Sequence, residues 1–320
     1  MHVAVFGAGA LGRVYGVRLA LHGSVDVTFV VRKARVQSTE PIVIESVRRG
    51  AREAVDVPIR ADVVPSDADA ILLAVGTEDL DALTGRLSAS DAPIVILTPM
   101  LPEGWARVRA AFGERAYAAM PGVVAYARED GVVRYWRPPA PTKIDEPRAG
   151  SASAEAVREL AAALSRAGLG GRLTLGVHET NPATTVCFIP IGMALALAGS
   201  AERLRADDSL LALTAQACRE GVRLSHRIGT PELWAPLAPA FAAPWALRLW
   251  LDALGRMSPE AVFYAEEHFG RKLAEQHRVM IREMIHLAIE KGLPHEAFDA
   301  IAARFSLPAD ALDGGPSSRG

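Results

Sequence analysis

An α/β fold in two parts is what these 320 residues predict, and three observations carry the prediction. Val3 to Phe6 is a short apolar run that ends in a glycine-rich turn, Gly7-Ala8-Gly9-Ala10-Leu11-Gly12, and a helical pattern follows to Leu21. A second apolar run, Val25 to Val31, completes a strand–helix–strand unit of the length a parallel crossover needs. After Gly176 the strand pattern stops, and apolar helical runs continue to about Phe305. Together these predict a Rossmann-like dinucleotide-binding domain over residues 1–175, an all-α C-terminal domain over 176–313, and a disordered tail, GGPSSRG, over 314–320.

The remaining elements follow in order. Ile42–Glu45 and Val55–Ile59 alternate around Arg48-Arg49-Gly50 and predict a hairpin. Ala70–Val75 is a third apolar strand, Thr77–Leu87 a helix, and Pro93–Thr98 a further strand. Ala116–Ala119, Val123–Ala127 and Val132–Trp136 read as strands, the last two joined at Glu129-Asp130-Gly131. Glu155–Arg166 is a helix that stops at Gly168. The most apolar run, Ala183–Gly199, spans 17 residues and contains Pro190 and Gly192, so it predicts a buried core helix rather than a membrane span. Pro231–Met257 holds Trp234, Trp245 and Trp250, three of the five tryptophans. It reads as an irregular packed connection, or as a lid or oligomer contact of the kind a homodimer uses.

Composition narrows the function. A net charge of −2 without any block of like charge argues against nucleic acid and membrane partners, leaving a small-molecule substrate. Cys187 and Cys218 lie far apart without a C-x-x-C pair, which predicts two packed thiols in a reduced, cytoplasmic protein. The N-terminus runs directly into a strand, so no signal peptide is expected.

The glycine turn has a division of labour. Gly7 permits the tight turn, Gly9 lets the backbone approach a pyrophosphate, and Gly12 lets helix and strand pack closely. Backbone amides at Ala8, Ala10 and Leu11 then face the phosphates at a helix start. At the end of the second strand, where a carboxylate would bind a free ribose hydroxyl, stand Arg32 and Lys33, with Arg35 nearby. Cations there suit a 2′-phosphate, so NADP is the expected cofactor; the plainer reading is a set of solvated loop cations.

At these residues the chain resembles the ketopantoate reductase (2-dehydropantoate 2-reductase) family. The matching pieces are HVAVFGAGALGRVYGVRLALHG, VTFVVR, DAILLAVGTEDL, PIVILTPMLPEG and REDGVVRY within residues 1–136, with EKGLP near Gly292. The resemblance implies a Rossmann domain, an all-α second domain, and an NADPH-linked reduction in the cleft between them. It also implies positions for working residues. Val75 and Gly76 follow the third strand, and the family's cofactor-contacting lysine falls at Gly76. Its next asparagine falls at Pro99, its catalytic lysine near Asn181, two further asparagines near Thr185 and Ile189, and its substrate-binding glutamate near Gln276. No lysine lies between Lys143 and Lys272, so a small shift of register does not restore the missing one.

The chemistry feels this directly. Carbonyl reduction develops negative charge on oxygen, and a lysine supplies both a field and a proton there. Asn181 donates a hydrogen bond but no proton. The expected substrate is therefore a small carbonyl or imine compound other than ketopantoate, and other groups must serve as acid. In VHETNPATT, His178 is the nearest group with a useful pKa, while Asn181 reads as an N-cap with Pro182 in the first turn. Farther on, His277 lies on an apolar stripe bordered by Gln276, which is the pattern of a hydrogen-bonded core residue or of a shielded acid–base group. Tyr264 and His268, one turn apart, form another pair. His268, His277 and His286 are nine residues apart, so His277 should face away from the other two, and no shared metal is expected. No G-x-S-x-G or other nucleophile motif occurs. The same scaffold would also serve a non-redox lyase, isomerase or cyclase, or a non-catalytic dinucleotide-binding protein.

Overall fold

The structure, a computed structural model, describes residues 1–56, 58–76, 85–87, 90–233, 235, 243–257 and 259–306. The chain divides into two compact units, Met1–Asn181 and Pro182–Gly320, a division later than the expected border at residue 175.

The first unit is built on an eight-stranded sheet ordered β12-β11-β8-β7-β6-β1-β2-β5. Its centre is β1 (His2–Phe6), which pairs in parallel with β2 (Asp26–Val30) on one side and β6 (Ala70–Leu73) on the other. β7 (Ile94–Ile96) and β8 (Ala116–Met120) extend the parallel run. These strands read as continuous apolar runs because both faces are covered. Side chains alternate between the faces: Val3, Val5 and Leu72 enter one cluster, Ala4, Phe6, Ile71 and Leu73 the other. On the first face, helix α1 (Ala10–His22) buries Val14, Tyr15, Val17 and Leu19. On the second, helix α2 (Pro102–Phe112) buries Val108 and Phe112.

A second sheet of four strands, β4-β3-β10-β9, lies over α1. β3 (Ile42–Ser46) and β4 (Arg52–Val55) form the expected hairpin, and β9 (Val124–Ala127) and β10 (Val133–Trp136) the other. One expectation is corrected here. Val55–Ile59 is not a single strand: β4 ends at Val55, and β5 (Ile59–Ala61) joins the main sheet beside β2. Pro58, immediately before β5, has no N–H with which to continue a ladder. Three elements went unread in the sequence: α2, β11 (Lys143–Asp145) and β12 (Arg172–Thr174). The two strands are three residues long, too short to show a period. Helix α3 (Ala154–Arg166) matches its prediction. Of the expected helix from Thr77, only residues 85–87 are described, and they are helical; the tail 314–320 lies outside the described residues.

Helix α4 (Val177–Thr185) begins in the first unit and ends in the second, which is helical thereafter. It continues with α5 (Ile189–Ala198), α6 (Ala201–Ala206), α7 (Asp208–Ile228), α8 (Pro244–Met257), α9 (Pro259–Phe263), a π-helix over Tyr264–Lys272, α10 (Ala274–Glu290) and α11 (Glu296–Ser306). The apolar run Ala183–Gly199 is thus split between α4 and α5, with a turn at residues 186–188. Val177–Ala198 is long and apolar enough to cross a membrane by length and composition, yet 72% of its most apolar window is buried inside the protein. Of the three tryptophans around α8, Trp250 packs on the Leu247–Leu251 cluster, Trp245 is exposed, and Trp234 lies outside the described residues.

A buried carboxylate ties this unit together. Glu220, in the middle of α7, is 2% exposed. Its two oxygens accept from Ala297 N at 3.1 Å each, and one accepts from Phe298 N at 3.2 Å. These are first-turn donors of α11, which have no partner within their own helix. Glu220→Ala is therefore expected to lower the unfolding free energy by about 2–3 kcal/mol in urea titration. A change within experimental error of zero would show that water caps α11 equally well.

Candidate functional site

The dinucleotide turn is built by steric necessity at two of its three glycines. Gly7 has φ +97°, and a Cβ there would stand 2.5 Å from Ala74 O and 2.7 Å from Val75 Cγ1. At Gly12 a Cβ would meet Gly7 O at 1.9 Å. Gly9 is different. Its φ of −74° suits any residue, and a Cβ there meets nothing within 4 Å. The protein itself gives no reason for glycine at this position. Gly9 is the N-cap of α1 and supplies no side-chain cap, and no acidic residue stands in the first turn. The open face of Gly9 and the first-turn amides of Ala10, Leu11 and Gly12 thus form a cradle for an anion.

Beside the turn is a cavity of about 500 Å³ in which Ala8 and Val31, at the tip of β2, meet the side chains of Arg13, Arg35 and Arg60. Arg32 and Lys33 are exposed at the start of a 3₁₀ turn over Lys33–Arg35 and are not part of the cavity wall, whereas Arg35 is. Arg13 and Arg60 were not singled out in the sequence, although Arg13 directly follows Gly12. Arg13 Nε donates to Ala8 O at 2.9 Å and its Nη1 to Gly131 O at 3.0 Å. Arg60 donates to the carbonyls of Ser38 and Glu40. Burial lowers the pKa of Arg13, as do the charges of Arg35 and Arg60, so the three guanidiniums feel one another. After β6, Val75 accepts at its carbonyl from the Thr98 hydroxyl, and Gly76 is half-exposed.

The stretch VHETNPATT corrects its own prediction. Asn181 is not an N-cap, since α4 already starts at Val177 and holds Asn181 and Pro182 in its interior. The capping residue comes from the sheet. Asp145, at the end of β11, accepts from Val177 N at 2.6 Å and from His178 N at 3.2 Å. Asp145 Oδ2 also bonds His178 Nδ1 at 2.8 Å, and Trp105 of α2 stacks on the imidazole at 6.1 Å and 24°. Burial raises the Asp145 pKa, with the His178 contact opposing it. The His178 side chain remains 42% exposed. Asn181, 5% exposed, donates from Nδ2 to Ala119 O of β8 at 3.0 Å.

The other candidates sit in the second unit. His277 is 3% exposed and meets the edge of Phe269 at 4.8 Å. Gly192 of α5 makes room for it, since a Cβ there would lie 2.5 Å from His277 Cε1. His277 Nδ1 is buried without a hydrogen-bond partner among the described residues. Burial, and after it the charge of His268, lower the His277 pKa to about 4. Tyr264–Lys272 is a π-helix, whose wider turns shift the phase before α10 begins. Tyr264 stacks on His268 at 5.2 Å; burial pushes the phenol up to about 12, and burial with the nearby Lys272 charge lowers His268 to about 4. The Gln276 amide donates to Met280 Sδ at 3.8 Å. Among the described residues no group of three His, Cys, Asp or Glu is placed to hold a metal.

A parallel sheet whose first strand enters a helix through this turn defines a Rossmann-type α/β unit. Residues 3–144 match the sequence profile of ketopantoate reductase PanE/ApbA. No curated protein sequence matches the chain. Among solved structures, the PanE/ApbA family ketopantoate reductase of Ralstonia eutropha JMP134 is similar, with 20% identity and a TM-score of 0.73 over 98% of this chain and 100% of that one. A D-mandelate dehydrogenase, solved with NADH and anilino(oxo)acetate, has 16% identity and a TM-score of 0.71 over 98% and 100%. The dimeric ketopantoate reductase of Staphylococcus aureus has 15% identity and a TM-score of 0.65 over 98% of each chain. At these identities the likeness establishes the fold.

The pH dependence of the second unit follows from His277. Its folded pKa, about 4, lies below the unfolded value of about 6.5. Between these values the unfolded chain binds the extra proton, so stability is full above about pH 6.5 and falls as pH drops toward 4. His277→Phe should flatten that slope in urea titrations at pH 7 and pH 5. An unchanged slope would mean that His277 titrates normally.

Proposed function

We propose that the protein is an NADP-dependent oxidoreductase that reduces a small carbonyl or imine compound other than ketopantoate. The observation that supports this most is Gly9, which has room for a side chain on every side and a conformation open to any residue. A ligand phosphate accounts for a glycine there; the apo fold does not. The bound cofactor would supply the hydride. Arg35, with Arg13 and Arg60 behind it and Arg32 and Lys33 at the rim, supports a 2′-phosphate as the group in the neighbouring cavity.

The reduced oxygen or nitrogen also needs a proton, and His178 fits that role best. Asp145 accepts from its Nδ1–H and supports the doubly protonated ring, whose Nε2–H would give up the proton, while the exposed ring can refill from solvent. His277 is neutral at pH 7, and Tyr264 keeps its proton to about pH 12. Asn181 and Gln276 hold hydrogen bonds and have no proton to give. A homodimer in the cytoplasm, with both buried thiols reduced, completes the reading.

A second reading has its own support. Helix α4 carries no lysine, and the Asn181 amide is already bonded to β8. That arrangement suits a non-redox lyase, isomerase or cyclase, or a non-catalytic dinucleotide-binding protein. The experiment that separates them follows NADPH absorbance with a panel of 2-keto acids and imines. The redox reading expects oxidation with at least one substrate, and a fall of kcat by about 10²-fold or more in His178→Ala with NADPH affinity retained. Tight NADPH binding without oxidation by any substrate would favour the second. Arg35→Glu should weaken NADPH by tenfold or more while leaving NADH nearly unchanged; equal effects on both would remove the 2′-phosphate assignment.

A further inference from the structure

The first unit holds a second cationic cavity that the dinucleotide does not account for. It measures about 310 Å³ and is lined by Arg18, Arg48, Arg49 and Arg137, with Trp136 and Pro138 as apolar wall. It shares no lining residue with the cavity beside the glycine turn. The two stand at opposite ends of the small sheet. Parallel strands β3 and β10 begin at the first cavity, through Ile42 and Val132, and finish at the second, through Ser46 and Trp136.

The four arginines are not equivalent. Arg18 is committed to the fold: its Nε and Nη2 donate to Ala167 O at 2.8 and 2.6 Å, and its Nη1 pairs with Glu53 at 2.6 Å. Gly168 beside it has φ +70°, a conformation that favours glycine. Glu53 is shared further with His22 at 2.8 Å, so its charge is already answered. Arg48, Arg49 and Arg137 have no ion pair among the described residues. The β3–β4 turn presents the first two, and the end of β10 the third. Two prolines, Pro138 and Pro139, follow Arg137 and restrict the chain there. Arg48, Arg49 and Arg137 are exposed around one pocket, and a multiply charged oxyanion would match their forked donors.

We infer that this cavity is an accessory site for a small polyanion, phosphorylated or polycarboxylate, separate from the dinucleotide site. The volume is at the lower end for small-molecule pockets, which suits a compact metabolite rather than a nucleic acid. The inference stands whether or not the protein is a reductase.

The test is calorimetric titration of the full chain with inorganic pyrophosphate in one arm and citrate in the other. Pyrophosphate would also enter the glycine turn, so the measurements use a Gly9→Val background, where that cradle is filled. Saturable binding in at least one arm is expected, with the tighter arm identifying the ligand type. Adding Arg49→Ser and Arg137→Ser should weaken it by tenfold or more while far-UV circular dichroism and the thermal midpoint stay unchanged. Absence of saturable binding in both arms, or binding that survives the two substitutions, would overturn the proposal.

Discussion

The approach of α1 to β1 is the contact on which the first unit depends. Gly12 lies so close to the Gly7 carbonyl that no side chain fits, and Gly7 itself is pressed against the chain after β6. Because of these two contacts the helix starts directly above the sheet edge, with its amide-bearing end aimed past the strand tips. Everything on the nucleotide side follows from that placement. Arg13 reaches back to Ala8, the β2 tip meets the same cavity, and the open face of Gly9 is left over. Two glycines serve packing, and the third has a role only when something else arrives.

The start of α4 rests on a different interaction. Asp145 caps α4 through two backbone amides and at the same time orients His178. One carboxylate thus fixes both the helix start and the ring. Asn181 then falls one turn further on, where its amide bonds the Ala119 carbonyl instead of projecting as a charged donor. The resemblance places a lysine near this position. This chain has there a hydrogen-bonding residue tied to β8.

Much of the fold was legible in the residues, for identifiable reasons. β1, β2 and β6 are continuous apolar runs and α1 lies between Gly9 and Gly23, so apolar content and glycine punctuation mark them. β11 and β12 are three residues each and carry no period, and with them Asp145 was invisible as a partner of His178. Arg13 and Arg60 are distant in sequence and meet only in the folded cavity. The expected phase of His268 against His277 assumed an α-helical angle throughout, which the π-helical segment does not keep. The position of Asn181 failed because capping came from the sheet rather than from the neighbouring chain.

The most direct measurement is an equilibrium titration of NADPH against the native protein and its Gly9→Val variant, with urea unfolding of both. If Gly9 is glycine for the sake of a ligand, the native protein binds NADPH saturably, the variant loses affinity by at least tenfold, and the two unfold at the same midpoint. Equal binding by both proteins, or no binding by the native one at millimolar NADPH, would contradict the dinucleotide reading.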